Sequence, residues 1–145
     1  MPLAMSKPTI ISLPRMQCSR GTLSFIEAKR HVPFSIERVY WVYDVPGSQT
    51  RGGHAFRTQH ELIVALSGSF EVVVDTGGQQ YTYQLNRAFH GLYIPPLVWR
   101  HFAAFATNSL ALVLSSADFD EGDYIRDYQE YLLRVRDAGQ HADGC

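Results

Sequence analysis

The feature that most constrains this chain is a succession of short β-like runs separated by turn signals. Residues 22–27, 36–43, 60–66, 69–75, 80–85, 91–94, 99–105 and 109–115 are rich in β-branched and aromatic side chains. Pro46-Gly47-Ser48, Ser67-Gly68 and Pro95-Pro96 punctuate them, and Thr76-Gly77-Gly78 marks a hairpin. Short strands at a spacing of about 8–12 residues predict a sandwich or barrel, not a parallel sheet with crossover helices. The tail breaks the pattern. Tyr124, Ile125, Tyr128, Leu132 and Val135 follow helical spacing, with Asp118, Asp120, Glu121 and Asp123 ahead of or within the first turn and Arg134 and Arg136 near the end. That charge order complements a helix dipole, so a short C-terminal helix over 123–138 is predicted, with 141–145 frayed.

At 145 residues the chain is expected to form one domain, 1–145, with an N-terminal segment over 1–19. A net charge of −1 leaves no electrostatic footprint for nucleic acid or an anionic membrane. A few arginines in one pocket would still suffice for a small phosphorylated ligand. No apolar run approaches the roughly 20 residues that span a bilayer. The opening MPLAMSKPTIISLPRM lacks the long apolar stretch of a signal peptide. Cys18 and Cys145 make no disulfide framework and no CxxC zinc pair, so reduced thiols and a cytoplasmic location are expected.

The chemistry concentrates in RGGHAFRTQHELIV, residues 51–64. Arg51 offers a permanent, forked cation suited to phosphate or an oxyanion. Gly52 and Gly53 allow close approach of backbone or ligand. His54 can give and take protons near neutrality. His60 lies six residues on, and strict alternation places it on the same sheet face as His54, with Phe56 between them. GLYIPPLVWR, residues 91–100, is the second candidate: Tyr93 offers a phenol, Trp99 a ring for stacking or for the core. Of Arg100 and His101 only one should point inward. A metal needs at least three convergent ligands. His-Ala-Phe replaces a His-x-His pair, and Glu61 falls on the face opposite His60, so no metal site is expected.

Together these segments resemble the sugar 3,4-ketoisomerases that act on dTDP-4-keto-6-deoxyglucose, within the cupin superfamily. The markers are the RG-to-IE run of 20–27, PFSIERVYWVYDVP, RGGHAF with HELIVALSGSFEVVVD, GLYIPPLVWR, and LALVLSSADFDEGDYIRDYQEYL. The resemblance implies a cupin-like β-barrel (jelly roll), no metal and no cofactor. It implies a homodimer with strand exchange near the N-terminus, and a role in deoxysugar biosynthesis for a lipopolysaccharide or S-layer glycan. It further implies that a base removes the C3 proton, an enediol forms and a proton returns at C4. His54 matches the family's first pocket histidine and is the implied base, with Tyr93 the implied proton donor. Arg51 matches the family's neighbouring arginine, and Arg20, Tyr43, Tyr93 and Arg100 match positions that shape the sugar and diphosphate pocket; His60 and Trp99 are expected to contact substrate on the residue reading alone. Arg20 and Arg100 look like a mixture of two subtypes that differ in stereochemistry at C4.

Phe56 departs from the family, which carries a second histidine there. Three outcomes follow: His54 makes both transfers alone, His60 or Tyr93 supplies the second proton, or the chain binds nucleotide sugar with lost or altered catalysis. A non-catalytic binding module and a metal-dependent cupin are the competing classes.

Overall fold

A computed structural model describes residues 7–143. The strands are β1 (Thr9–Ser12), β2 (Arg15–Cys18), β3 (Gly21–Ser24), β4 (Arg38–Tyr43), β5 (Arg51–Phe56), β6 (Glu61–Ser67), β7 (Phe70–Asp75), β8 (Gln80–Leu85), β9 (His90–Ile94), β10 (Trp99–Ala103), β11 (Leu110–Ser115) and β12 (Tyr124–Ile125); helix α1 (Tyr128–Asp143) follows. One sheet has the order β1-β9-β6-β11-β4 and the other β12-β5-β10-β7-β8, all antiparallel. The pairs β4–β11, β5–β10, β6–β9 and β7–β8 nest around the β7–β8 hairpin. That nesting is the signature of a jelly roll. The two sheets form a sandwich and do not close into a continuous barrel.

Alternation along the strands decides what lies between the sheets. Ile63 and Ala65 of β6, Leu92 and Ile94 of β9, Phe102 of β10, and Ala111 and Val113 of β11 join Phe70, Val72, Val74, Leu85 and Phe105 in the main core. Burying each large apolar side chain contributes about 1.5–3 kcal/mol. Toward one end the inward positions turn polar: Arg38, Tyr40, His54 and Arg100 border a cavity there, with buried Glu61 and Ser115 behind them. The outer face of the first sheet carries a second core of Leu62, Val64, Tyr93 and Leu114 under Leu13, Val32 and Phe34.

Two expectations about the ends are corrected. Strands β1 and β2, missed in the proline-interrupted opening, do form. β1 pairs with β9, whereas β2 pairs only with β3 in a two-stranded hairpin whose eight residues are all exposed. The helix begins at Tyr128 rather than 123, because Tyr124 and Ile125 pair with Phe56 and Ala55 as strand β12. Asp127 starts the helix: its Oδ1 accepts from the backbone N–H groups of Gln129 and Glu130 at 2.8 and 3.1 Å. Tyr131, fully buried, donates its hydroxyl to the carbonyls of Asp75 and Leu97 and docks the helix on the second sheet. No helix among the described residues is long and apolar enough to cross a membrane. The frayed end expected at 141–145 falls partly outside the described residues; through Asp143 the chain is still helical.

Candidate active site

Strand β5 opens the site with an irregularity that the sequence encodes in two glycines. Opposite β10, Arg100 pairs with His54 but Phe102 pairs with Arg51, so β5 spends one extra residue over Gly52-Gly53. This is a β-bulge, a device that re-aims side chains. Gly52 sits at φ +76°, and a Cβ there would meet Arg100 Nη1 at 2.5 Å, so only glycine fits. The Gly52 carbonyl instead accepts from that Nη1 at 2.7 Å.

Behind the bulge lies a fully buried ion pair. Arg100 Nε donates to Glu61 Oε1 at 3.0 Å and Nη2 to Oε2 at 3.1 Å, a forked contact between the two sheets. Arg100 Nη2 also donates to the Tyr40 hydroxyl at 3.0 Å, and that hydroxyl donates to Glu61 Oε2 at 2.5 Å. Burial works against the charge of Arg100, but Glu61 and Tyr40 outweigh it and hold the guanidinium protonated. Burial, then Glu61, pushes the Tyr40 phenol far above its ordinary range. Glu61 does alternate with His60, but the faces are the reverse of those expected: Glu61 points inward to Arg100 and His60 outward.

His54 stands on the cavity side of this network. Its ring packs against Phe56 and Tyr124, each with centroids 4.8 Å away, and its Nε2 is buried without a hydrogen-bond partner. Burial first, then the charges of Arg100, Arg126 and Arg38, lowers its pKa to about 2. The free imidazole is therefore neutral and able to accept a proton. Phe56 is buried and packs on His54 and Tyr124 without bordering the cavity.

The cavity has a volume of about 580 Å³. Besides His54, Tyr40 and Arg100, its walls carry Arg38, Arg51, Phe119, Tyr124 and Arg126. Phe119 comes from the loop just before the segment expected to start the helix, and Tyr124 and Arg126 from that segment itself. That segment is latched to the β5–β6 loop. Arg57 Nη1 donates to the carbonyls of Gly122 and Tyr124 at 2.8 and 2.7 Å, and the Asp123 carboxylate accepts from Thr58 and Gln59. Arg38 and Tyr40 alternate inward along β4, a pattern visible in RVYWVY once the inward parity is known.

Of the residues singled out from sequence, the structure brings His54, Arg51 and Arg100 to this cavity. Arg100 reaches it already engaged by Glu61, Tyr40 and Gly52. The other five lie elsewhere. Tyr93 and His60 face the outer side of the first sheet, where His60 Nδ1 lies 2.7 Å from the Tyr93 hydroxyl and both rings stack with Phe34. The even alternation assumed from His54 to His60 fails because β5 ends at Phe56 and His60 opens the facing sheet. Trp99 alternates away from Arg100 and packs under the helix against Tyr128 and Tyr131. Tyr43 points outward from β4 and is exposed. Arg20 sits exposed at the turn of the β2–β3 hairpin. No cluster of His, Cys, Asp or Glu side chains suited to a metal ion occurs among the described residues.

Comparison with known proteins bears on what this cavity serves. The family model described as "FdtA: WxcM-like, C-terminal" matches residues 6–136. The TDP-4-oxo-6-deoxy-alpha-D-glucose-3,4-oxoisomerase of Aneurinibacillus thermoaerophilus is 37% identical over 135 residues, which is 93% of this chain and 97% of that protein. A mutant of the 3,4-ketoisomerase QdtA from Thermoanaerobacterium thermosaccharolyticum, solved in complex with TDP-4-keto-6-deoxyglucose, superposes with a TM-score of 0.89 at 33% identity, covering 92% of this chain and 96% of its own. The WlaRB TDP-quinovose 3,4-ketoisomerase of Campylobacter jejuni superposes with a TM-score of 0.85 at 33% identity, covering 89% and 99%.

Proposed function

The chain belongs to the family described as FdtA, WxcM-like, C-terminal, and from that premise we propose that it is a TDP-sugar 3,4-ketoisomerase of deoxysugar biosynthesis. The observation that carries this reading is His54: a neutral imidazole with an unpartnered nitrogen, bordering a cavity walled by arginines. A nucleoside diphosphate needs those cations, and Arg51 and Arg126 at the exposed rim are suited to the phosphates. His54 takes the C3 proton as the electrons of that C–H bond form the C3–C4 double bond of an enediolate. The proton then returns to C4 while the C3 oxygen becomes the ketone.

Oxygen must also exchange a proton, from the C3 hydroxyl to the former carbonyl at C4. Tyr40 is suited to this as a relay: its one O–H is directed at Glu61, so a proton taken from the C3 hydroxyl displaces one onto that carboxylate, and the return along the same bond protonates the C4 oxygen. It takes the role that His60 and Tyr93, on the far side of the first sheet, are badly placed to fill. The binding-module alternative rested on Phe56, but that ring supports His54 from behind and leaves the cavity open.

The protein works as a homodimer in this proposal. Val39, Trp41 and Tyr43 expose an apolar row on β4, and the β2–β3 hairpin projects with Met16 and Leu23 uncovered. Exchange of that hairpin would bury both and carry Arg20 to the partner. A soluble cytoplasmic enzyme feeding a lipopolysaccharide or S-layer glycan completes the proposal.

The test is to incubate the protein with TDP-4-keto-6-deoxyglucose and locate the ketone by NMR. A ketone at C3 is expected. Saturable TDP binding with the ketone still at C4 would instead establish a binding module.

A further inference from the structure

Isomerisation in this cavity calls for a hydrogen-bond donor that is free to meet a developing negative charge. An enediolate presents two adjacent oxygens, and a preorganised donor at each is worth more than one donor shared between them. Tyr40 is already bonded to Glu61 and Arg100. Arg100 has its Nε and both terminal nitrogens engaged by Glu61, Gly52 and Tyr40. Arg126 is gripped from the side by Glu121 through Nε and Nη2.

Arg38 is different. Its Nη2 donates to Gln59 Oε1 at 3.1 Å, and that oxygen also accepts the Ser115 hydroxyl at 2.8 Å. Gln59 is buried, and its own backbone N–H is held by Asp123 at 3.0 Å. The guanidinium is thus anchored from behind by buried, hydrogen-bonded groups. Its Nε is buried and has no partner, and the residue lines the cavity. Arg38 stands two residues from Tyr40 on β4, so both point into the same cavity, and its guanidinium carbon lies 5.3 Å from the Tyr40 ring.

We infer that Arg38 is a catalytic residue of this site, its Nε–H donating to an oxygen of the enediolate. The inference rests on the ketoisomerase reading. It separates Arg38 from the rim arginines: they bind the ground state through phosphate, whereas Arg38 acts on charge that exists only after the C3 proton has left. It therefore belongs to kcat and not to nucleotide affinity.

Arg38→Gln and the charge-preserving Arg38→Lys test it, each compared with the wild-type enzyme by turnover of TDP-4-keto-6-deoxyglucose, by deuterium entry at C3 in heavy water, and by TDP affinity. Arg38→Gln should lose about 10²–10³ in kcat and in C3 exchange, the usual cost of one oxyanion donor. TDP affinity should stay within about threefold. Lysine keeps the charge without the Nε donor and should lose at least about tenfold in kcat, so a glutamine variant that fails to fold leaves the test standing. Variants with wild-type kcat, or a fall in TDP affinity at unchanged kcat, would overturn the inference while the enzyme itself remains an isomerase. A wild-type protein that neither isomerises nor exchanges would overturn the ketoisomerase reading and the inference with it.

Discussion

The chain contains two histidine–tyrosine neighbourhoods, on opposite sides of one sheet, and they have opposite fates. His60 and Tyr93 are 2.7 Å apart, stacked with Phe34 and covered by Leu13 and Val32. Burial alone lowers the His60 pKa and raises that of Tyr93 to about 12. The pair satisfies itself. His54 and Tyr40 border a cavity instead, with the His54 nitrogen unpartnered and three guanidinium groups acting on the imidazole. Residue types are the same in both places. What makes one a candidate for proton transfer is an open volume and a surplus of positive charge awaiting an anion.

That contrast can be broken from either side. The largest effect should come from Glu61→Leu, which leaves Arg100 as a buried charge without its counter-ion. Such a loss costs about 3–5 kcal/mol, read as a lower midpoint in denaturant unfolding. An unfolding free energy within about 0.5 kcal/mol of wild type would mean that the network does not hold the cavity wall.

The pH dependence of stability comes next. A histidine whose folded pKa is depressed binds its proton in the unfolded chain first. Its contribution is therefore complete above pH 6.5 and declines as the pH falls from there toward about 2. Each pH unit in that window should cost the wild type up to about 1.4 kcal/mol through His54. Melting curves between pH 7 and pH 5 should be visibly flatter for His54→Asn, and parallel curves would show that His54 titrates normally.

The smallest effect on turnover belongs to the His60–Tyr93 pair. His60→Asn removes the bond to the buried Tyr93 hydroxyl and should cost about 1–3 kcal/mol in stability. Its kcat should stay within about threefold of wild type. A loss of a hundredfold in kcat with the fold intact would return His60 to the reaction.

Much of the fold was legible in the chain. The runs from 36 to 115 became β4 and β6 to β11 with ends shifted by a few residues, because alternating apolar residues between glycine and proline turns leave few other options. The opening was not legible: TIIS forms a strand only by virtue of its pairing with β9. Tyr124 and Ile125 fit a helical period by coincidence and were captured by β5. The site was less legible than the fold. His54 and Arg51 announced themselves beside two glycines, yet those glycines make the bulge that ends simple counting along β5. GLYIPPLVWR looked like one functional segment, but it crosses between sheets, and only Arg100 of its chemical residues faces the cavity. Arg38 and Tyr40 on β4 lie far in sequence from Tyr124, and the two segments converge only through strand pairing, which periodicity does not specify.

The most direct test of the central claim compares deuterium entry at C3 of TDP-4-keto-6-deoxyglucose in heavy water for wild type and His54→Asn, with TDP binding measured on both. The account predicts exchange by the wild type and a loss of about 10²–10⁴ in the variant at similar TDP affinity. Equal exchange by the two proteins would contradict it, since the proton would then be leaving to some group other than His54.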